Sequence, residues 1–326
     1  MRRPTPLLPA VAACLLLTAC GAERVGTQDT GPGAASSPPR TQVTDPGMDG
    51  VRVTAVTIPS PSPSPSPSSS PSPSSSFSVT ADSLPTDSGV SATYEVTNQG
   101  TEALTYTVLF DFTTSSGEVM SNKWETVRDV APGKTVRGTV RLGVLAPGAS
   151  PVTRVKVSEV TKVPAGEAPS EAGDCPASGI RVTADEGDAA MGLRVVGLHL
   201  ENCGTRDYTV NGYPLLELLG EDREPVDGVK ILQGSGEITT GAGPDEPPRP
   251  VTLKPGETAT SSLVWRNTTQ FGTPVDVPYV RVRAKAGADP VTVTPHLDLG
   301  TTGQLGVRPW KRAAEQPGNS RPGSPE

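Results

Sequence analysis

Hydrophobic positions along this chain fall into two sets of short, period-two runs, both placed behind a front segment that has few of them. In the first set, residues 90–96, 104–112, 127–130, 136–144 and 152–163 alternate apolar with polar or run β-branched. Asn98-Gln99-Gly100, Ser115-Ser116-Gly117 and Ala131-Pro132-Gly133 separate them, and these residue types supply turn geometry. The second set covers 180–183, 193–200, 208–210, 215–219, 251–253, 258–265, 280–284 and 291–299. Runs this short, with turns about every 8–12 residues, predict β-sandwiches. No convincing amphipathic helix exceeds two turns. The expected fold is all-β, two tandem sandwiches at residues 77–165 and 175–310, with a linker at 166–174 and a disordered tail at 311–326.

The two sets echo each other. Asn98-Gln99-Gly100-Thr101 is followed by Ala131-Pro132-Gly133-Lys134-Thr135, and Asn202-Cys203-Gly204-Thr205 by Lys254-Pro255-Gly256-Glu257-Thr258. From Asn to Pro is 34 residues in one and 53 in the other, a difference that the Gly- and Pro-rich stretch after Leu232 would absorb. Duplication would produce this echo, and so would two sandwiches that need the same corner.

Composition places the front segment in another class. None of the 4 Phe, 5 Tyr and 3 Trp precedes Phe77, and residues 59–76 alternate Pro with Ser. Residues 20–76 therefore read as a disordered Pro/Ser-rich stalk, since such a segment buries too little apolar surface to offset its ordering entropy. As polyproline II at about 3.1 Å per residue, residues 21–76 would reach on the order of 170 Å. One short stretch, residues 51–56, alternates like a strand. Ahead of the stalk, Met1-Arg2-Arg3 and an apolar run at residues 7–19 form a signal peptide, too short for the roughly 20 residues of a membrane-spanning helix. Leu17-Thr18-Ala19-Cys20 resembles a bacterial lipobox, which implies cleavage after residue 19 and lipidation of the Cys20 thiol; the alternative is an ordinary secretory peptide. That predicts a palmitate-type lipid anchor on the outer face of the cytoplasmic membrane. Cys14 leaves with the signal peptide and Cys20 carries lipid, so Cys175 and Cys203 remain. In an exported chain such a pair reads as one disulfide, against two free thiols.

Charge and chemistry narrow the function further. With 28 Lys and Arg against 35 Asp and Glu, the net charge of −7 argues against nucleic acid and anionic headgroups as partners. The 2 histidines leave little room for acid–base catalysis or His-rich metal sites. A Gly-x-Ser-x-Gly elbow is absent. Asp298-Leu299-Gly300-Thr301-Thr302-Gly303 matches the phosphate loop of the actin and heat-shock ATPase fold, but only 23 residues follow it, so a strand entering a glycine turn is the better reading. Strand parity puts His296 and Asp298 on one face. With His199 they are the candidate metal ligands, set against the plainer reading of surface histidines. Trp124, Trp265 and Trp310 read as core anchors.

At Asn202-Cys203-Gly204-Thr205-Arg206, Asn211-Gly212-Tyr213-Pro214 and Leu253-Lys254-Pro255-Gly256-Glu257, the chain resembles the actinobacterial lipoprotein domain known as domain of unknown function 4232, over about residues 175–310. Many members carry a cysteine near the position of Tyr208, whereas here it is Cys203. The resemblance implies secretion, lipid anchoring and a β-sandwich, and no activity. Residues 77–163 resemble, more loosely, Ig-like modules of bacterial envelope proteins.

The expected function is that of a non-enzymatic, cofactor-free lipoprotein, a binding or structural module that meets a cell-wall polymer or another envelope protein. The alternative is a metal-dependent role through His199, His296 and Asp298. Loops carry binding on β scaffolds, so the stretch after Leu232 is the expected contact loop, dispensable for stability.

Overall fold

The computed structural model describes residues 40–43, 46–59, 87–145, 148–240 and 245–313. The expected signal peptide at residues 1–19, Cys20, most of the Pro/Ser run and the tail beyond residue 313 lie outside the described residues. Among the described residues the fold is all-β apart from a short 3-10 turn at Ala165–Glu167, and they form two hydrophobic cores.

The first core lies between a four-stranded and a three-stranded sheet. The strands are β1 (Arg40–Gln42), β2 (Val51–Thr57), β3 (Ser91–Thr97), β4 (Leu104–Thr113), β5 (Val119–Val130), β6 (Thr135–Arg141) and β7 (Arg154–Pro164). They run in the orders β1-β2-β3-β6 and β5-β4-β7. Tyr106, Phe110 and Phe112 of β4 are buried against Val51, Tyr94 and Val96 of the facing sheet. On the outside of the larger sheet, Arg52, Glu95 and Arg137 stand opposite one another on three strands. Hydrogen bonds from Arg52 and Arg137 hold the Glu95 carboxyl below its ordinary range.

β1 and β2 correct the expected stalk at 20–76. Val51, Val53, Ala55 and Val56 are buried, and β2 is an interior strand of the sheet. Small β-branched residues bury well enough when both neighbouring strands are present, so the lack of aromatics did not exclude a strand. The consequence is topological. Thr57 at the end of β2 is the register partner of Ser91 at the start of β3, so the Pro/Ser run joins two adjacent strands of the first sandwich.

The second sandwich contains β8 (Ile180–Ala184), β9 (Asp188–Ala190), β10 (Leu193–Asn202), β11 (Tyr208–Asn211), β12 (Leu215–Leu219), β13 (Lys230–Gln233), β14 (Pro250–Leu253) and β15 (Thr258–Arg266). It is completed by β16 (Asp276–Val277), β17 (Tyr279–Arg283), β18 (Val291–Val293), β19 (Leu297–Asp298), β20 (Gln304–Val307) and β21 (Lys311–Arg312). One sheet runs β13-β20-β15-β10-β8, with β9 on β10 and β21 on β15. The other side is made of β12-β17-β18 and the pairs β11-β14 and β16-β19. Trp265 and Trp310 sit in this core at 2% exposure each. Cys175 and Cys203 are bonded, as expected. β21 corrects the tail, since Lys311 and Arg312 pair with Thr260 and Ala259 through backbone bonds that need no apolar side chain. The expected strand at 291–299 is also corrected. It breaks between β18 and β19 at Pro295 and at His296, whose φ of 48 lies in the left-handed region.

The echo between the halves is structural. Asn98 Nδ2 donates to the carbonyls of Glu102 (2.7 Å) and Val130 (2.6 Å), and Oδ1 accepts from Gly100 N–H. Asn202 Nδ2 donates to the carbonyls of Arg206 and Leu253, both at 2.8 Å, and Oδ1 accepts from Gly204 N–H. The backbones match too: Gly133 N–H binds Asn98 O, and Gly256 N–H binds Asn202 O. The neighbourhoods correspond, with β2-β3-β6 repeated as β8-β10-β15.

Candidate functional site

The site lies where the two sandwiches meet. On the outward face of the three-stranded sheet, register places Trp124, Leu109 and Glu159 in one row across β5, β4 and β7. Thr126, Thr107 and Thr161 form the next row. The second sandwich covers the β7 end of this face. It contributes the segment from Val293 to His296 and the tip of the hairpin between β8 and β9, with Asp185 and Glu186. Trp124 stays uncovered at 51% exposure. Between them runs a groove of about 460 Å3.

Its walls are fixed by polar ties on both sides. Glu167, in the turn after β7, accepts from Arg281 Nε and Thr292 Oγ1, both at 2.8 Å. Lys162 N–H donates to Tyr279 Oη at 3.2 Å, and Arg223 pairs with Glu102 at 2.6 Å. Arg128 holds the linker by Glu171 and by the carbonyl of Pro169, each at 2.8 Å. The linker is thus docked along its length rather than a free tether.

Within the groove, Asp185 Oδ1 accepts from the N–H groups of Gly187 (2.9 Å) and Gly197 (2.8 Å), which fixes the hairpin tip. Its Oδ2 lies 3.3 Å from His199 Nε2. That internal use accounts for Asp185 at the tip. His296 Nε2 lies 3.0 Å from Glu159 Oε1. The approach is not in hydrogen-bond geometry, so this buried oxygen has no hydrogen-bond partner. A left-handed backbone at His296 and an unsatisfied acceptor facing it are two costs at one place.

The structure separates the three candidate metal ligands. His199 pairs with Asp185, His296 with Glu159, and Asp298 serves neither. Asp298 Oδ1 accepts from Trp265 Nε1 (2.8 Å), while Oδ2 accepts from Asn267 Nδ2 (2.9 Å) and Arg194 (3.2 Å). The parity that placed His296 and Asp298 on one face assumed a continuous strand, and the break at His296 removes it. Among the described residues no group of three His, Cys, Asp or Glu side chains is arranged to hold a metal. Asp298→Ala should lower stability by roughly 2 kcal/mol, because it leaves the buried Trp265 indole N–H without its acceptor. Denaturant unfolding would measure that loss, and the metal content of the protein should not change.

Two other recesses offer less. One of about 480 Å3, also between the sandwiches, is lined by Asp49, Lys162, Glu221, Asp222 and Arg223, and its two cations are paired with Asp49 and Glu102. Another, of about 290 Å3, lies between residues 246–252 and 308–312, where the stretch after Leu232 rejoins the sandwich. The first half of that stretch is packed, with Ser235 fully buried.

Sequence reasoning placed all three tryptophans in the core, and Trp124 corrects it. A signal was present in the parity of β5. Val127 faces inward and Trp124 stands three residues from it, hence on the opposite face; Val130 also faces inward because a bulge at Asp129, with its φ of 51, shifts the register between the two valines.

Neither curated proteins nor solved structures give a match to the chain. The family described as Domain of unknown function (DUF4232) matches residues 175–311, so the second sandwich carries that domain and the first lies outside it.

Proposed function

We propose that this protein is a lipid-anchored lipoprotein of the cell envelope whose paired sandwiches form a non-catalytic binding module, with the ligand taken in the groove between them. The observation that carries the reading is Trp124, a large aromatic side chain left uncovered in a groove whose walls are held by ion pairs. Exposed aromatics at such sites supply contact area at low entropy cost. The lipobox at residues 17–20 supports export and anchoring, and the Cys175–Cys203 bond fits an oxidising compartment. The separation of His199, His296 and Asp298 removes the geometric support for the metal-dependent alternative.

Cys20→Ser tests the anchor. The expected result is a precursor that stays unprocessed or a protein released from the membrane fraction. Unchanged mature mass together with unchanged membrane fractionation would end that part of the proposal. Binding is tested by capture from envelope extract with the chain from Gly21 onward, which contains both cores. Trp124→Ala should abolish capture without altering the unfolding transition.

A further inference from the structure

The chemistry lining the groove points to one class of ligand. We propose that it takes a sugar ring of an envelope glycan, neutral or amino-substituted and without acidic groups. This rests on the reading of the groove as a binding site and goes further by naming what fills it.

Trp124 presents a flat apolar face carrying the negative side of the ring quadrupole. The axial C–H bonds of a pyranose form a flat, slightly positive patch of matching shape. The indole is held on β5, an edge strand whose long pairing with β4 fixes its direction. Around it are groups that suit ring hydroxyls: Thr107 on the same sheet face, and Thr183 and Thr294 from the second sandwich, which donate and accept, with the carboxylate of Glu186, which accepts two donors side by side. A sugar offers neighbouring hydroxyls in that arrangement.

Charge then selects among sugars. Asp185 and Glu186 line the groove, and among the described residues that line it the His296 imidazole is the one basic-type group, with no Lys or Arg. The chain as a whole carries −7. A phosphate or uronate entering this groove would meet carboxylates with no guanidinium or ammonium to receive it. A neutral ring pays no such cost, and a ring bearing an ammonium group is attracted. The volume of about 460 Å3 falls within the usual span of small-ligand pockets, about 300–1,000 Å3.

The chain contains 3 tryptophans, and Trp265 and Trp310 are each 2% exposed, so collisional quenching of indole fluorescence reports on Trp124. The chain from Gly21 onward is titrated with oligomers of N-acetylglucosamine and of glucosamine, and separately with polygalacturonate and inorganic phosphate. The expected result is saturable protection from acrylamide by one or both of the first pair and none by the acidic probes. By calorimetry, Trp124→Ala should weaken that binding about tenfold, and Glu186→Gln should weaken it too. Both side chains are exposed, and unchanged unfolding transitions would verify that the variants fold. No protection by either oligomer, protection by the acidic probes instead, or undiminished binding in Trp124→Ala would overturn the proposal. If envelope extract protects Trp124 while neither oligomer does, the glycan assignment fails and the binding reading stands. If extract gives no protection either, both fail.

Discussion

Asn202→Ala should destabilise the second sandwich by about 3 kcal/mol, and Asn98→Ala should do the same to the first. Each asparagine is buried, at 1% and 0% exposure. Each side chain closes a corner by donating to two carbonyls and accepting one backbone N–H. Alanine removes all three bonds and leaves the carbonyls of Val130 or Leu253 in the interior with one partner fewer. An unsatisfied buried polar group costs about 1–3 kcal/mol, and two carbonyls are affected at each corner. Aspartate at either position should be at least as damaging, because a carboxylate cannot donate and would face two carbonyl oxygens. In a Trp124→Ala background, denaturant unfolding followed by the fluorescence of Trp265 and Trp310 reports the second core, and circular dichroism follows both. Shifts below about 1 kcal/mol would mean that water takes over the asparagine's role.

That corner was legible in the sequence because it is local. Asn-x-Gly supplies a side chain that bonds its own turn, and Pro-Gly supplies the partner turn where the returning strand arrives. The interior strands were legible for a similar reason, since their alternation records burial directly. β1 and β21 were not, because Arg40-Thr41-Gln42 and Lys311-Arg312 pair at sheet margins through backbone groups and carry no apolar period. β2 gave a period-two signal at residues 51–56, but the composition of its surroundings argued for disorder. The sheet decided the matter, because Val51 and Val53 are buried only once β3 lies alongside.

The groove could not be read from sequence, because it exists only where two sandwiches approach. Trp124 and His296 are 172 residues apart in the chain, and no local pattern links them. What sequence offered was the parity of Trp124 against Val127, which the bulge at Asp129 hides from a count started at Val130, and parity does not say what stands opposite. The metal triad failed for a related reason. Its geometry presumed regular strand through Thr294-Pro295-His296, where a proline and a left-handed histidine turn the chain toward the first sandwich. The turn that separates His296 from Asp298 is the same one that brings it to Glu159.

The stretch after Leu232 was expected to be dispensable for stability, and its packing predicts the opposite. Replacing residues 234–248 with a short Gly-Ser turn should cost the second sandwich about 3 kcal/mol. Asp245 accepts from Ser235 N–H (2.7 Å), Ser235 Oγ (2.9 Å) and Gly236 N–H (3.0 Å), and it pairs with Arg308 at 3.2 Å. Arg308 also donates to Ser235 Oγ, so one carboxylate, one hydroxyl and one guanidinium close the base of the stretch. Without them Arg308 loses the Asp245 carboxylate and the Ser235 hydroxyl. Asp245→Asn isolates the charged part of this effect and has a definite pH dependence. Burial pushes the Asp245 carboxyl up, but the bonds from Ser235 and Gly236 and the charge of Arg308 outweigh it, and the net position is below the ordinary range. A depressed value in the folded state means that the unfolded chain binds the proton more readily. The stabilisation is therefore present above the ordinary aspartate range, near pH 4, and is lost as pH falls through the lower folded value. The stability difference between wild type and Asp245→Asn, measured by denaturant unfolding, should be largest at neutral pH and shrink toward pH 3. A difference that stays constant from pH 7 to pH 3 would show that the carboxylate charge contributes nothing and that the loss comes from hydrogen-bond geometry alone.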